Sequence, residues 1–472
     1  MATTDELPAS DLPRPAWLAD VAGWSAQVAG PVLVPGDEGY PAEHTGFDLS
    51  VPQRPALIVG ATTTDDVVAA VQFARSHGLF VGVQATGHGP TVAVDGGLLI
   101  NTGRMTAVDV DSVNRSARLQ AGTQWTEVIQ AAAPFGLAPL SGSAPSVGAV
   151  SYSLGGGIGV LSRRFGFGAD HVRAIEVVTA DGELRRVTAD DAPDLFWAMR
   201  GAGSNFGVVT SIEVDLVAVP ELYAGGLFFP GDERADVLAA FVQCASTAPD
   251  ALSLSVAVYT FPDLSTLPAA VRGCHCCHVR VTYQGPAAEA EAFLGALRGA
   301  GSVLLDTVRS LPLTEIGTIH NDRTAPLDVH SRSLVLRRLD SALVDVVVAH
   351  TAPDAASLVE LRHLGGALAR PPAVANAVGH RGGVANMFTT AYPTDDHTVA
   401  DAEQQRLLDD LEPWSDGGAL STFLLGAKVT PADVRAAFRP EDYDRLVELK
   451  TKWDPDNIFR FNQNIPPSAL PA

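Results

Sequence analysis

The residues of this chain that could do chemistry are gathered around glycine. Gln84-Ala-Thr-Gly-His-Gly-Pro90 sets an imidazole, His88, between two glycines. Leu154-Gly-Gly-Gly-Ile-Gly159 and Gly201-Ala-Gly203-Ser-Asn-Phe-Gly207 follow further along. Glycine in such density is entropically costly, so it implies unusual backbone torsions or close approach to a ligand. Loops of this kind expose backbone N–H groups that neutralise a pyrophosphate without lysine. Lysine is scarce here, confined to Lys428, Lys450 and Lys452. Several glycine loops in an acidic chain point to a large anionic cofactor.

The two commonest nucleotide motifs do not account for them. Gly201 to Gly207 approaches the dinucleotide fingerprint, but its third glycine is displaced and it precedes a strand instead of opening a helix. No phosphate loop ending in Gly-Lys-Ser/Thr is present. A second cluster, Gly273-Cys-His-Cys-Cys-His278, contains zinc-ligand types. Val271 to Tyr283 reads as a strand, however. Cys274, Cys276 and His278 then point away from His275 and Cys277. No second cluster completes a four-ligand set, so no metal site is expected.

The elements that position these loops follow from periodicity. Ala61 to Gly78 reads as a helix capped by Thr64, with Val67, Val71 and Ala74 on one stripe. Leu79 to Val83, Leu98 to Asn101, Thr106 to Val110 and Ala117 to Ala121 read as strands. Trp125 to Ala133 reads as a helix. Ile175 to Ala180, the Asp181-Gly182 turn and Leu184 to Val187 form a hairpin pattern. Pro193 to Met199 is a short helix, and Val208 to Leu216 is a strand with one wet face. After Pro220 the texture changes to strand-like runs (Leu252 to Tyr259, Val279 to Tyr283, Val346 to His350, Met387 to Tyr392). Helical runs such as Ala287 to Arg298 alternate with them. Asp442 to Ile465 returns to a capped helix and a closing tail.

Composition narrows the function classes. A chain of 472 residues with 46% hydrophobic content builds more than one core. The net charge of −22, with no basic run, disfavours nucleic acid and anionic membrane surfaces. No apolar run approaches the ~18 residues of a spanning helix. Met1 to Pro15 lacks the basic start and apolar stretch of a secretory signal, so a cytoplasmic protein is expected. The expected partners are a small-molecule substrate and dioxygen; oligomeric state is not legible.

Four motifs in order carry a family resemblance. They are Gly87-His88, then Val147-Gly148 through Gly155-Gly-Gly-Ile-Gly159, then Arg200 to Val209, then Lys452-Trp-Asp-Pro-Asp-Asn-Ile-Phe-Arg-Phe-Asn-Gln-Asn464. The chain resembles the FAD-linked oxidases of the vanillyl-alcohol oxidase superfamily, in the bacterial part of the berberine-bridge-enzyme-like branch. The resemblance implies an α+β fold: a PCMH-type FAD-binding domain of two subdomains (1–219), completed by the C-terminal tail (418–472). An inserted α+β substrate domain of antiparallel sheet plus helices (220–417) lies between. It implies FAD cradled by Gln84, Ala85, Thr86, Gly87 and Gly89, with His88 bonded to the flavin's 8α-methyl carbon. Further contacts fall to Gly142, Ser143, Val147, Gly148, Tyr152, Gly156 and Gly157, then to Gly203, Asn205, Gly207, Val208, Val209, Asn462 and Asn464.

Where the chain departs from its relatives, the chemistry is affected. Many relatives make a second flavin bond from a cysteine three residues before Val147; here Ala144 stands there, so at most one link is expected. The turn before His88 reads Gln-Ala-Thr-Gly where relatives often have Arg-Ser-Gly-Gly. Tyr152 falls where relatives often place a histidine, and is expected to donate a hydrogen bond near flavin N1 and C2. Val147 matches the oxygen-gating position, which favours an oxidase that makes H2O2. The family's usual tyrosine base is missing: the comparable stretch is Ser421-Thr-Phe-Leu-Leu-Gly426, and Ile158 replaces a second tyrosine. Alcohol oxidation needs a base, so Tyr392 and His363 are candidates, while amine oxidation needs none. Val359 to His363 reads as a strand of polar substrate-domain candidates, with Glu360 and Arg362 on one face and His363 on the other. One of the two faces lines the cavity, and for Glu360 and Arg362 a surface salt bridge is the competing expectation. Besides a substrate oxidase, flavin-dependent oxidative cyclisation or rearrangement is open. So is a metal-binding protein built on Cys274 to His278. A nicotinamide reductase is the weakest reading.

Overall fold

The computed structural model describes residues 15–392 and 396–468. The reading of Met1 to Pro15 as lacking an export signal thus lies almost entirely outside the described residues. Among these, no helix is long and apolar enough to cross a membrane.

Thr64–His77 forms the expected helix, but Thr63 caps it, one residue earlier than expected. The Thr63 side chain accepts from the Asp66 N–H while Asp66 answers the Thr63 N–H. Gly78, in the left-handed region, ends it. Val67, Val71 and Ala74 of this helix pack on a four-stranded sheet. Its order is Val32–Leu33, Leu57–Gly60, Leu98–Asn101, Val81–Gln84. The last three strands run parallel, so the chain leaves Gln84 straight into the His88 turn.

A second sheet of five antiparallel strands follows, ordered Val108–Asp111, Ser116–Gln120, Val208–Asp215, Val172–Val178, Leu184–Val187. The expected hairpin pairs Val178 with Leu184. Helices Trp125–Ala132, Ala149–Leu154 and Pro193–Ala202 cover it and share one apolar core with it. The expected wet face of Val208–Asp215 is dry at Ser211 and half-buried at Glu213 and Asp215.

Between Ala218 and Tyr223 the chain passes to a third, larger antiparallel sheet. Its central strands are His275–Tyr283, Leu252–Thr260, Ser357–His363 and Ala385–Ala391. Helices Arg234–Thr247, Ala287–Arg298 and Ser341–Ala349 back one face. The strand expected at Val346 to His350 is instead the end of that last helix. Asp340 caps its start, accepting from the Leu343 N–H, and Leu343, Val344 and Val347 make a helical stripe. The three valines in a row carry β propensity, and the cap with its stripe overrides it.

The tail then returns. Its helix, Pro440–Trp453, starts on a proline and has no side-chain cap hydrogen bond, so the capped start expected at Asp442 is not found. Lys450, fully buried, donates to Asp454, to the Phe459 carbonyl and to the Asn205 carbonyl. Ile458 and Phe459 enter the core of the first sheet, and the Val81 N–H donates to the Ile458 carbonyl.

Candidate functional site

The three sheets enclose one large cavity of ≈ 1130 Å³. That exceeds the ~300–1,000 Å³ of an ordinary ligand pocket, leaving room for a cofactor and a substrate together.

The turn after the first sheet forms one wall. Its carbonyls face outward: Thr86 O and Gly87 O accept from Phe47 and Asp48, and Gln84 O accepts from Thr102. Among the described residues, the N–H groups of residues 85 to 89 donate to no protein acceptor. Consecutive free N–H groups in a concave turn are an anion nest. Gly87 is obligatory there: its φ is +69°, and a Cβ would stand 2.5 Å from the Gly46 Cα.

His88 lines the cavity. Its ring stacks on Phe47 at 4.0 Å between centroids and 10° between planes. Nδ1 lies 2.8 Å from Thr86 Oγ1, and Nε2 is buried with no partner. Burial pulls its pKa down to about 4, so the imidazole is neutral.

Gly142, Ser143, Ala144 and Val147 also line the cavity, as does Tyr152. The Tyr152 ring lies edge-on to Trp125. Its hydroxyl is buried and unpartnered, and burial raises its pKa although Arg362 opposes the shift. Gly203, Asn205, Val209 and Asn462 complete the cofactor-side wall. Asn205 acts mainly as a clamp, donating to Ala202 and Gln463 carbonyls and accepting from the Ile465 N–H.

Free N–H groups around a concave turn, with a neutral imidazole beside them, fit the diphosphate and ring of a flavin dinucleotide. A family model for an FAD binding domain matches residues 55–188, and one for berberine and berberine-like proteins matches residues 431–466. The (R)-6-hydroxynicotine oxidase of Paenarthrobacter nicotinovorans is 28% identical over 459 residues, covering 94% of this chain and 98% of the relative. The crystal structure of 6-hydroxy-D-nicotine oxidase from Arthrobacter nicotinovorans superposes with a TM-score of 0.80 at 25% identity. It covers 93% of this chain and 98% of that one.

The chain carries an FAD binding domain and a berberine-like C-terminal segment, and it is similar to berberine-bridge-enzyme-like FAD-linked oxidoreductases along most of its length.

A shorter match, 32% over 196 residues and 40% of each chain, is to the chitooligosaccharide oxidase of Gibberella zeae. A BBE-like structure from Physcomitrella patens, 18% identical over 95% of this chain and 99% of that one, has a TM-score of 0.83 and shows the fold. The α+β architecture expected from the motifs is the one these solved structures share.

Several expected cofactor contacts lie elsewhere. Gly148 sits behind the wall, opening helix Ala149–Leu154. Gly156 packs on Val378 and Phe167, and a Cβ on Gly157 would strike the Tyr152 ring at 2.5 Å. Gly157 thus makes room for Tyr152, and both glycines adopt positive φ; neither lines the cavity. Gly207 presses on the Val177 side chain and the Val178 carbonyl, Val208 is in the first sheet's core, and Asn464 lies outside the cavity lining. Arg200, fully buried, holds the carbonyls of Phe196 and Ala375, so that motif is largely scaffolding.

The expected bases fare differently. Tyr392 lines the cavity, but its hydroxyl accepts from the Thr260 N–H at 2.8 Å, and burial pushes its pKa up to about 12. His363 does not line the cavity; it lies 2.9 Å from Arg163, and burial, then the Arg163 charge, pulls its pKa down to about 3. The other face of its strand is the cavity face. Glu360 and Arg362 line it, so they are not the surface salt bridge expected. Arg280, His278 and His320 stand beside them; Arg280 and His320 are not singled out by sequence, and His278 only as a metal-ligand candidate. Alternation within 275–283 gives His278 and Arg280 one face, but His320 sits in a loop with no periodic signal.

The cysteine cluster divides as its alternation requires: Cys277 is in the core behind the sheet, Cys276 on the opposite face. Burial raises both thiols, Cys276 to about 12, which disfavours thiolate ligands. Asp328, His330 and His397 also come within ligand reach of one another. Their two imidazoles are stacked 13° from parallel at 3.8 Å, so their in-plane lone pairs do not converge on one ion.

Proposed function

We propose that this oxidase carries FAD through one covalent bond to His88 and passes electrons from a small organic substrate to dioxygen, giving hydrogen peroxide. The observation that carries the reading is the pairing of the free N–H groups of residues 85 to 89 with the unpartnered Nε2 of His88. When bound, the flavin supplies the two-electron chemistry.

The chain's residues supply the rest. The nest holds the diphosphate. In the tautomer whose Nδ1–H donates to Thr86 Oγ1, His88 keeps a lone pair on Nε2 and has a fixed ring. Ala144 offers no second bond. Tyr152 has a free hydroxyl to donate to charge developing on the cofactor. Val147 lines the wall where oxygen must arrive. His278 and His320 are neutral imidazoles that accept a hydrogen bond from an alcohol, with burial leaving them weak bases; an amine requires neither.

The overall balance is loss of two electrons and two protons by the substrate, with both taken by O2. Oxygen uptake and peroxide release, measured over panels of small amines and alcohols, test it. One peroxide per substrate consumed is expected. Substrate consumed without oxygen uptake contradicts the oxidase assignment, and a ring-closed or rearranged product identifies the cyclisation variant.

A further inference from the structure

The substrate side of the cavity carries an excess of buried positive charge. Strand register sets two adjacent cross-strand rows on the cavity face. One reads Phe228, His278, Ala257, Glu360; the next reads Gly226, Arg280, Ser255, Arg362. The short side chains at Ala257, Ser255 and Gly226 leave space over which the long ones reach. Arg280 Nη1 lies 3.3 Å and Arg362 Nη2 lies 3.2 Å from the Glu360 carboxylate. All three side chains are largely buried, at 9%, 15% and 8% exposure.

Two guanidiniums thus share one carboxylate. Among the described residues, Glu360 is the one carboxylate within ion-pair distance of either. Burial alone would raise the Glu360 carboxyl; Arg362 and Arg280 outweigh it and hold it ionised. His278 and His320 contribute no charge, since burial and then the Arg280 charge push both well below the usual imidazole range. Arg280 Nε and both ring nitrogens of His278 have no partner. A buried charge without its counter-ion costs several kcal/mol, and a guanidinium presents its donors in a fork that matches a carboxylate. The chain's net charge of −22 does not draw anions from a distance, so capture must come from such a local pair.

Resting on the oxidase reading, we propose that the substrate is a small organic acid whose carboxylate is held by Arg280 and Arg362. Glu360 is a positioning residue that keeps the two forks side by side beneath it.

Calorimetric titration of the holoenzyme in chloride-free buffer tests this without turnover. The probes are acetate, butyrate, benzoate and phenylacetate, each against its neutral amide. At least one acid is expected to bind roughly 10- to 100-fold more tightly than its amide, as charge-assisted hydrogen bonds give. Arg362→Gln and Arg280→Gln should each remove most of that preference, with circular dichroism and flavin content unchanged. If a variant does not fold, the acid–amide comparison on the unaltered protein decides. No acid outbinding its amide, or a preference that survives both substitutions, overturns the proposal. The two readings fail separately. Acids bound by a protein that reduces no oxygen contradict the oxidase reading, whereas turnover confined to neutral or cationic substrates contradicts the anion site.

Discussion

Tyr152 shows at residue scale how a burial cost becomes a function. Its hydroxyl is buried with no acceptor or donor in the protein, which costs stability unless something else uses it. Tyr152→Phe should therefore leave the fold intact, with thermal stability unchanged or slightly raised. It should slow substrate-dependent flavin bleaching about 100- to 1,000-fold, the usual loss for one preorganised donor. Stopped-flow absorbance reads the rate, and an unchanged rate would remove Tyr152 from the chemistry. Tyr392→Phe and His363→Ala should change that rate less than about threefold, since one hydroxyl is held by the Thr260 N–H and the other ring lies outside the cavity. Sequence separated His363 from Glu360 and Arg362 by strand alternation, but not which face met the cavity. That depends on the helices Arg234–Thr247, Ala287–Arg298 and Ser341–Ala349 covering the other side.

The decisive element is the C-terminal helix with its tail. Lys450 and Asp454 form a fully buried pair that ties the helix to the Asn205 loop. Asp454 also accepts from the N–H groups of Ile458 and Phe459. Lys450→Met leaves that carboxylate buried and unpaired, so unfolding free energy should fall by roughly 3–5 kcal/mol. Denaturant titration checks it, and a loss under ~1 kcal/mol would show the pair to be dispensable. The Asp181-Gly182 hairpin and the strand Leu98–Asn101 were legible because their signals are local turn chemistry and short apolar runs. Val346 to His350 was misread because β-branched residues outweighed a cap six residues upstream of the run. Gly156 and Gly157 look in sequence like cofactor glycines, because a glycine required by a positive φ or by a neighbouring tyrosine carries the same signal as one required by a cofactor.

For the whole molecule, buried histidines set the response to acid. Burial lowers the pKa of His88 to about 4 and of His363 to about 3. It also lowers His44, His275, His278 and His320. Each binds a proton near pH 6.5 when unfolded but not when folded, so the unfolded state gains protons first as pH falls. His171 works the other way: burial would lower it, but Asp215 and the Phe165 carbonyl raise it. The balance predicts that the melting temperature is highest above pH 6.5 and falls continuously towards pH 4. A flat profile over that window contradicts the neutral assignment of these histidines. The enclosure of one cavity by three sheets was not legible in the sequence, because strand periodicity gives faces but not which sheet a face meets.

Acid precipitation followed by peptide mass analysis tests the central claim most directly. The account predicts that the yellow colour stays in the pellet, that the flavin mass lies on the peptide containing His88, and that His88→Ala releases the colour into the supernatant. Colour that washes out of the unaltered protein, or a flavin mass on another residue, contradicts it.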